Sequence, residues 1–424
     1  MLIFGGGIAG LWTLLRLRSL GYDALLVESD ALGATQSIGS QGIIHGGVKY
    51  ALLGEITGAA RAIAAMPERW HACLSGQGEI DLSAPGIVLG ETIMWTTPGL
   101  VSKLAALTAS KLFRSPVAKL AREQWAADLP AAWQAAPPSV SVYRISEPVL
   151  DIHAVFQAFR AKLGPCILRG RLAGPPVDGA VRIARAGDAD LLLAPKSIVC
   201  CAGPGNPDLL AALGAITSQE VATIAQRRPL HMAMLRGAPF DLHGHCLGAS
   251  NLPRLTITTG HDEQGQRIWY LGGEIAERGV TRQEPEQIAA AKAELAACLP
   301  WCPIEAQTAS WATCRWDRAE PVTAGINRPD MPIVKRFGPS GSSKPPNNAN
   351  NPSNPINPTN PHPRILAAWP TKLAFAPLLA DRVVAELGLD GMSSAATVTQ
   401  AGPITEVSEC PIALMPWQSA RWSR

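Results

Sequence analysis

The sequence predicts an α/β fold that opens on a parallel sheet, and three features of its N-terminus predict it. Leu2, Ile3 and Phe4 form a short apolar strand. Gly5, Gly7 and Gly10 stand in G-x-G-x-x-G spacing at the turn into a helix, which carries Ile8, Leu11, Leu14, Leu15 and Leu17 and stops at Gly21. Ala24 to Val27 is a second apolar run, and it ends on Glu28. Such glycines let bare backbone approach a pyrophosphate at a helix N-terminus. An acid ending the second strand accepts hydrogen bonds from an adenosine ribose and disfavours a 2′-phosphate. The unit therefore reads as Rossmann-like and dinucleotide-binding, with Gly5, Gly7, Ile8, Ala9 and Gly10 at the phosphates and Glu28 and Ser29 at the ribose. A glycine-rich turn that binds nothing is the alternative; the order strand, helix, strand, acid argues against it.

The segment after Glu28 narrows the nucleotide. Gly33-Ala34-Thr35 and then Ser40-Gln41-Gly42-Ile43-Ile44-His45-Gly46-Gly47-Val48-Lys49-Tyr50 resemble the second flavin-contacting segment of the glycine oxidase and D-amino-acid oxidase superfamily of FAD enzymes. Within it the segment is most similar to flavin-dependent glycerol-3-phosphate dehydrogenases, which share I-H-G-G-x-(R/K)-Y, and next to L-2-hydroxyglutarate oxidases. The resemblance implies FAD as cofactor, with Gly33, Ala34, Thr35, Gln41, Gly42, Ile44 and His45 beside it. It also implies that His45 lies near the isoalloxazine, to orient substrate, take a hydroxyl or amine proton, or carry a covalent flavin link. A histidine that only holds the glycine-rich turn is the other reading.

Composition is compatible. A chain of 424 residues, 47% hydrophobic and 17% charged, suits two interlocked domains with large cores. Its net charge of +3 leaves no electrostatic footprint for nucleic acid. No run is long and apolar enough for an integral membrane segment, and the apolar N-terminus belongs to the phosphate turn rather than to a leader. Nine scattered cysteines read as reduced thiols of a cytoplasmic protein, with peripheral membrane association left open.

Along the chain, Glu55 to Ala72 reads as helix, Ile80 to Trp95 as strand turning at Pro85-Gly86, and Pro98 to Trp133 as helices packed by Trp125 and Trp133. Asp151 caps a helix that ends near Leu163-Gly164. Ile167 to Leu172, Val181 to Ala184 and Leu191 to Leu193 alternate as small strands. Ser197 to Cys201, followed by Ala202-Gly203-Pro204-Gly205, resembles the superfamily strand and turn beneath the dinucleotide, and adds Ala202 and Gly203 to the cofactor set. Adjacent Cys200 and Cys201 point to opposite faces of a strand and form no ordinary disulfide.

Arg228, Leu230, Met232 and Met234 alternate with His231 and Ala233 on a later strand. The superfamily places the equivalent strand near the flavin, so Arg228 and His231 become candidates, joined by Tyr270 and Glu274 at a glycine-rich strand end. His243 and His245 have H-x-H spacing beside Cys246, but no further cluster supports a metal, and none is expected. A helix spans Pro285 to Leu299. Arg315 and Arg318 stand where relatives have an Arg-Pro pair. Residues 338–363, rich in Asn, Pro and Ser, read as a disordered insertion. Lys372-Leu373, ahead of a helix opening at Pro377, is similar to the dehydrogenases' G-G-K-(L/W)-T-T-Y-R segment. That adds Thr371, Lys372 and Leu373 to the cofactor set, with the helix N-terminus facing the flavin pyrimidine. The tail gives no reading.

The resemblance thus implies a discontinuous FAD-binding domain over 1–75, 145–225 and 310–395. An α+β substrate domain built on an antiparallel sheet takes 76–144 and 226–309. The implied activity oxidises the CH–OH or CH–NH group of a small anionic metabolite (2-hydroxy acid, amino acid or polyol phosphate) by hydride transfer to flavin, with O2 or a quinone as electron acceptor. His45, Arg228, His231, Tyr270 and Arg315 are the catalytic candidates, the arginines for the anionic group. A flavin-binding tRNA-modifying protein or a non-catalytic flavoprotein is the alternative.

Overall fold

The computed structural model describes residues 1–47, 57–97, 117–248, 253–302, 304, 309–323, 329–338, 363–389 and 410–423. The low-complexity stretch lies almost wholly outside these, as do Val48 to Tyr50 and residues 98–116. The chain divides into two compact units. The first comprises Met1–Ser37, Phe156–Arg228 and Arg318–Ala413; the second comprises Ile38–Val155, Pro229–Asp317 and Leu414–Arg424.

The first unit is built on a six-stranded sheet in the spatial order Ile333–Phe337, Arg364–Trp369, Ser197–Cys200, Leu2–Phe4, Leu25–Glu28, Ile167–Arg169. All pairings are parallel except the edge pair Ile333–Phe337 with Arg364–Trp369. From the central strand the chain moves outward first on one side and returns later on the other. The C-terminal ends of Leu2–Phe4 and Ser197–Cys200 therefore flank a topological switch point, where open α/β sheets bind ligands. Helix Ile8–Ser19 buries Leu11, Trp12, Leu14 and Leu17 and packs beside helix Ala376–Glu386, where Arg16 meets Asp381 at 3.5 Å. Pro377 stands in the first turn of that second helix, where its missing N–H costs no bond.

The second unit holds an eight-stranded sheet in the order Ser310–Pro321, Ala225–Arg236, Arg267–Gly272, Leu255–His261, Gly244–Leu247, Val88–Thr96, Val142–Leu150, Val117–Lys119. From Ala225–Arg236 onward neighbours in this order run antiparallel, except Gly244–Leu247 with Val88–Thr96, which are parallel. Side-chain alternation divides the sheet into two faces. One face carries Ala233, Leu235, Cys246, Leu255, Ile257, Trp269 and Leu271, packed on Ile288, Ala291, Leu295 and Cys298 of helix Glu284–Cys298. Trp95, Trp125, Trp133 and Trp301 complete this core, with Trp133 edge-on to Trp95 at 5.6 Å. The expected packing role of Trp125 and Trp133 is thereby met.

Two local expectations are corrected. Residues 117–133 are not a run of helices. Val117–Lys119 pairs with the strand Val142–Leu150, and only short helical turns come after it, because Pro130 interrupts any longer one. The strand expected from Ile80 begins at Val88, after the turn at Pro85-Gly86. Asp151 does cap its helix, accepting from the Ala154 N–H at 3.0 Å.

In the second unit the segment after Ile38 is laid against the end of the strand Val142–Leu150. Leu150 donates to the Gly42 carbonyl and Ile44 to the Pro148 carbonyl, both at 3.0 Å. Gly42 has φ +71°, and a Cβ there would overlap the Leu150 carbonyl oxygen. Gly42→Ala is expected to destabilise the protein by roughly 2 kcal/mol or more, from a strained φ and a backbone clash together, measured as a lower chemical-denaturation midpoint.

Candidate functional site

At the first unit's switch point the three motif glycines prove to have different reasons. Gly5 has φ +104°, and a Cβ on it would lie 2.6 Å from the Cys201 carbonyl oxygen. A Cβ on Gly10 would overlap the Gly5 carbonyl oxygen, so that glycine lets the helix meet the strand. Gly7 has an ordinary φ of −74°, and the nearest atom to an added Cβ is Ser37 Oγ at 3.2 Å. The backbone does not demand a glycine there, and a Cβ would crowd only the Ser37 hydroxyl.

Glu28 reaches back into the same turn. Its Oε2 accepts the Gly6 N–H at 2.6 Å, and its Oε1 accepts the Asp30 N–H at 2.9 Å. Ser29 lies exposed beside it, its hydroxyl 3.4 Å from Oε1. Ser37 Oγ accepts the Ile8 N–H, the amide at the helix entrance, at 3.1 Å. Gly33, at φ +80°, donates to the Gly6 carbonyl at 2.9 Å. Ala34 closes a turn onto Ala31.

Among the described residues three non-glycines have positive φ: Thr35 at 112°, Thr371 at 61° and Asp178 at 49°. Asp178 precedes Gly179 in a tight turn between Val177 and Ala180, where Asp is tolerated. A β-branched residue in this region is a genuine outlier, and such strain collects at ligand sites. Both threonines fall in segments expected to touch cofactor. Thr371 follows the strand Arg364–Trp369 with a left-handed backbone. Lys372 places its ammonium 5.3 Å from the Phe375 ring. Leu373 begins a single 3-10 turn before the helix at Ala376. Gly203, at φ +55°, has open space where a Cβ would be, and Ala202 donates to Asn206 Oδ1 at 2.7 Å. Cys200 and Cys201 are free and buried, and burial pushes the Cys201 thiol up to about 12, which leaves it inert.

The second unit carries its polar groups on the sheet face opposite the tryptophan core. The strands Val88–Thr96 and Val142–Leu150 pair Thr92 with Ile145 and Glu91 with Pro148, so Ser146 and Glu147 bulge out of the ladder. Pro148 cannot donate to it. The Glu147 carbonyl that the bulge frees accepts the Thr92 hydroxyl at 2.9 Å. The Glu147 carboxylate, 2% exposed, accepts the Gly46 N–H at 2.5 Å and lies 3.3 Å from Nδ1 of His45, whose side chain is 47% exposed. His245, from the neighbouring Gly244–Leu247 strand, places its ring 5.5 Å from that of His45, with its Nδ1 2.9 Å from Thr256 Oγ1. Ligand-capable atoms of His45, Glu147 and His245 lie within 4.8 Å of one another, a trio that the H-x-H spacing did not reveal. His243 is instead engaged by the Thr259 N–H.

Residues 1–341 match the family described as FAD dependent oxidoreductase. The chain belongs to this family. It is 40% identical over 422 residues to a probable FAD-dependent oxidoreductase, PA4991, of Pseudomonas aeruginosa, covering 99% of this chain and 97% of that protein. The crystal structure of PA4991 superposes with a TM-score of 0.73 at 36% identity, covering 98% and 96% of the two chains. Glycine oxidase from Geobacillus kaustophilus shares the fold at TM-score 0.56 and 13% identity, over 96% of this chain and 98% of that one. So does glycerol-3-phosphate dehydrogenase from Bacillus halodurans, at 0.51 and 13%, over 92% and 64%. This FAD-dependent oxidoreductase is thus an enzyme of the expected superfamily and α/β fold, with FAD as its cofactor. The open backbone at Gly7 and the strained threonines fit that cofactor.

The oxidoreductase disperses the remaining candidates. Arg228 is held in two hydrogen bonds by the buried carboxylate of Glu320, at 2.8 and 3.1 Å. His231 lies on the tryptophan-core face, its Nδ1 3.0 Å from the Gly279 carbonyl, and burial lowers its proton affinity: it is a satisfied core histidine. Arg315 also points away from the polar face and donates to the carbonyls of Val280 and Arg282. Tyr270 is on the polar face, but its hydroxyl donates to the Gly39 carbonyl at 2.9 Å and accepts from Trp316 Nε1 at 2.8 Å. Burial raises its ionisation well above the normal range. Gln41 donates to the carbonyls of Thr256 and Tyr270 and so ties its segment to the sheet. A cavity of about 180 Å³ opens beside Ser40, Gln41, Asp151, Tyr270 and Trp417; His45 is not in its lining. Among the described residues no helix is long and apolar enough to cross a membrane.

Gly7→Ala and Gly10→Ala should separate cofactor space from packing. The first is expected to keep the thermal midpoint of the FAD-free protein while weakening FAD binding at least about tenfold; the second should lower that midpoint with or without FAD. Acid sensitivity follows from the buried histidines. Burial lowers His243 and His245 from 6.5 to about 4, so the unfolded chain takes up these protons first. Their share of stability is complete above pH 6.5 and falls as pH drops toward 4. Thermal midpoints should decline across that window, and less steeply in His243→Gln.

Proposed function

We propose that this FAD-dependent oxidoreductase oxidises a CH–OH or CH–NH group of a small metabolite, with His45 receiving the proton. The observation that carries this reading is the half-exposed imidazole of His45 anchored at one nitrogen on a buried carboxylate, an arrangement suited to general-base work. FAD, when bound, supplies the two-electron acceptor. In the first unit the bare backbone at Gly7 would leave room for its pyrophosphate, in a turn that Gly5 and Gly10 allow to close, Glu28 would meet its ribose, and Thr35, Gly203 and Thr371 would line it. The substrate O–H or N–H proton passes to His45 as the C–H bond gives up its electron pair as hydride, and a C=O or C=N bond results. The second unit is the substrate-bearing one in this reading.

An anionic group on the substrate is part of the proposal, but Arg228 and Arg315 do not carry it, since one guanidinium is matched to Glu320 and the other to two carbonyls. In this reading O2 or a quinone would be the final electron acceptor. Anaerobic mixing of the holoenzyme with 2-hydroxy acids, amino acids and polyol phosphates should bleach the flavin absorbance with one class. His45→Gln should slow that bleaching by roughly 10²-fold or more at unchanged FAD content. If no compound bleaches it, the metabolite-oxidising reading fails and a tRNA-modifying or non-catalytic role gains.

A further inference from the structure

We propose that Glu147 is the positioning residue for His45: its buried carboxylate takes the Nδ1–H and so leaves the Nε2 lone pair as the base, with His245 and Thr256 bracing the ring. The inference rests on the proton-accepting role proposed for His45 and adds a residue that acts only through it.

An ionised carboxylate is acceptor-only. One Glu147 oxygen is filled by the Gly46 N–H, and the other faces His45 Nδ1 at 3.3 Å, so the nitrogen there must bear the hydrogen. Burial opposes ionisation of Glu147, but the hydrogen bonds from His45 and from the Gly46 amide hold its carboxyl below the usual carboxylate range. The bulge explains how a strand delivers this group: without the two extra residues Ser146 and Glu147 the ladder would stay regular. The same bulge anchors itself through Thr92.

The ionisable groups that meet here are His45 from the segment after Ile38, Glu147 from the bulge and His245 from the adjacent strand. Burial pushes His245 down to about 4, so it stays neutral over the working range and does not compete with His45 for the carboxylate. When His45 takes the substrate proton on Nε2, the imidazolium that forms sits against an anion already in place, and no solvent need reorganise. The same three side chains are suited to a divalent metal. Both carboxylate oxygens already face N–H donors, which favours the hydrogen-bonded arrangement.

The test uses the holoenzyme. Nitrogen-15 histidine spectra, with His45 assigned by the signal lost in His45→Gln, should show a neutral ring protonated at Nδ1. In Glu147→Gln the carboxamide oxygen keeps the Gly46 N–H and its NH2 faces the ring, so the Nε2–H tautomer should replace the first. For whichever compound bleaches the flavin, that variant should lose about 10²- to 10⁴-fold in kcat with KM within a few-fold. Glu147→Asp should keep the Nδ1–H tautomer and part of the kcat. An Nε2–H tautomer in the unmutated protein, or an unchanged kcat in Glu147→Gln, overturns the proposal. So does one equivalent of zinc in the protein as purified that is lost in Glu147→Gln, which makes the trio a metal site. If no substrate is found, the tautomer alone decides, and failure of the metabolite reading stays separate.

Discussion

In the first unit everything depends on how closely a helix can begin beside a strand. At Gly10 the helix backbone lies against the carbonyl of Gly5, and only a residue without a Cβ allows the approach. Because it is allowed, the helix starts within a few residues of the strand end and aims its entrance amides at the switch point. Glu28 and Ser37 then hold that entrance from either side, one on the Gly6 N–H and one on the Ile8 N–H. Both acceptors come from the chain itself, Glu28 from the end of the second strand and Ser37 from the segment after it.

The second unit solves a different problem, that of putting a carboxylate on a sheet without losing the sheet. A regular ladder would send Glu147 to a position fixed by strict alternation and leave its backbone to pair across the strand. The bulge breaks alternation for two residues, and Thr92 supplies the hydrogen bond the ladder no longer makes. Beyond the bulge the strand accepts the segment carrying His45 as a new neighbour, which is how residues far apart in sequence come within hydrogen-bonding distance.

The dinucleotide unit is legible in the sequence because its signals are local: glycine spacing, a helix stop, an acid ending a strand. His45 is legible through a contiguous motif. Glu147 is not, although Glu147-Pro148 within an apolar strand is the mark of a bulge, because a bulge reveals where alternation breaks and not what meets it. Spacing groups His245 with His243, yet the partners of His245 come from other strands. Arg228 and His231 become candidates through the strand they share. Their partners, Glu320 and the Gly279 carbonyl, lie far along the chain, and no local pattern announces them. The tail carries no local signal either, and it bridges Leu32 through Ile412 in the first unit and Trp311 through Ser423 in the second.

The parallel sheet of the first unit has a consequence for synthesis. Its first strand, Leu2–Phe4, finds one neighbour at Leu25 but the other only at Ile198, and that neighbour in turn pairs with Ile365. Sheets closed by such distant pairings fold slowly, because loop entropy must be overcome before the contacts form. On the ribosome the first strand must wait, with an apolar edge unpaired, until Ser197–Cys200 has been made, and the outer edge of that strand then waits for Arg364–Trp369. Unpaired edges of that kind invite association, so chaperone dependence would be concentrated in the interval between translation of the first glycine motif and translation of Arg364–Trp369.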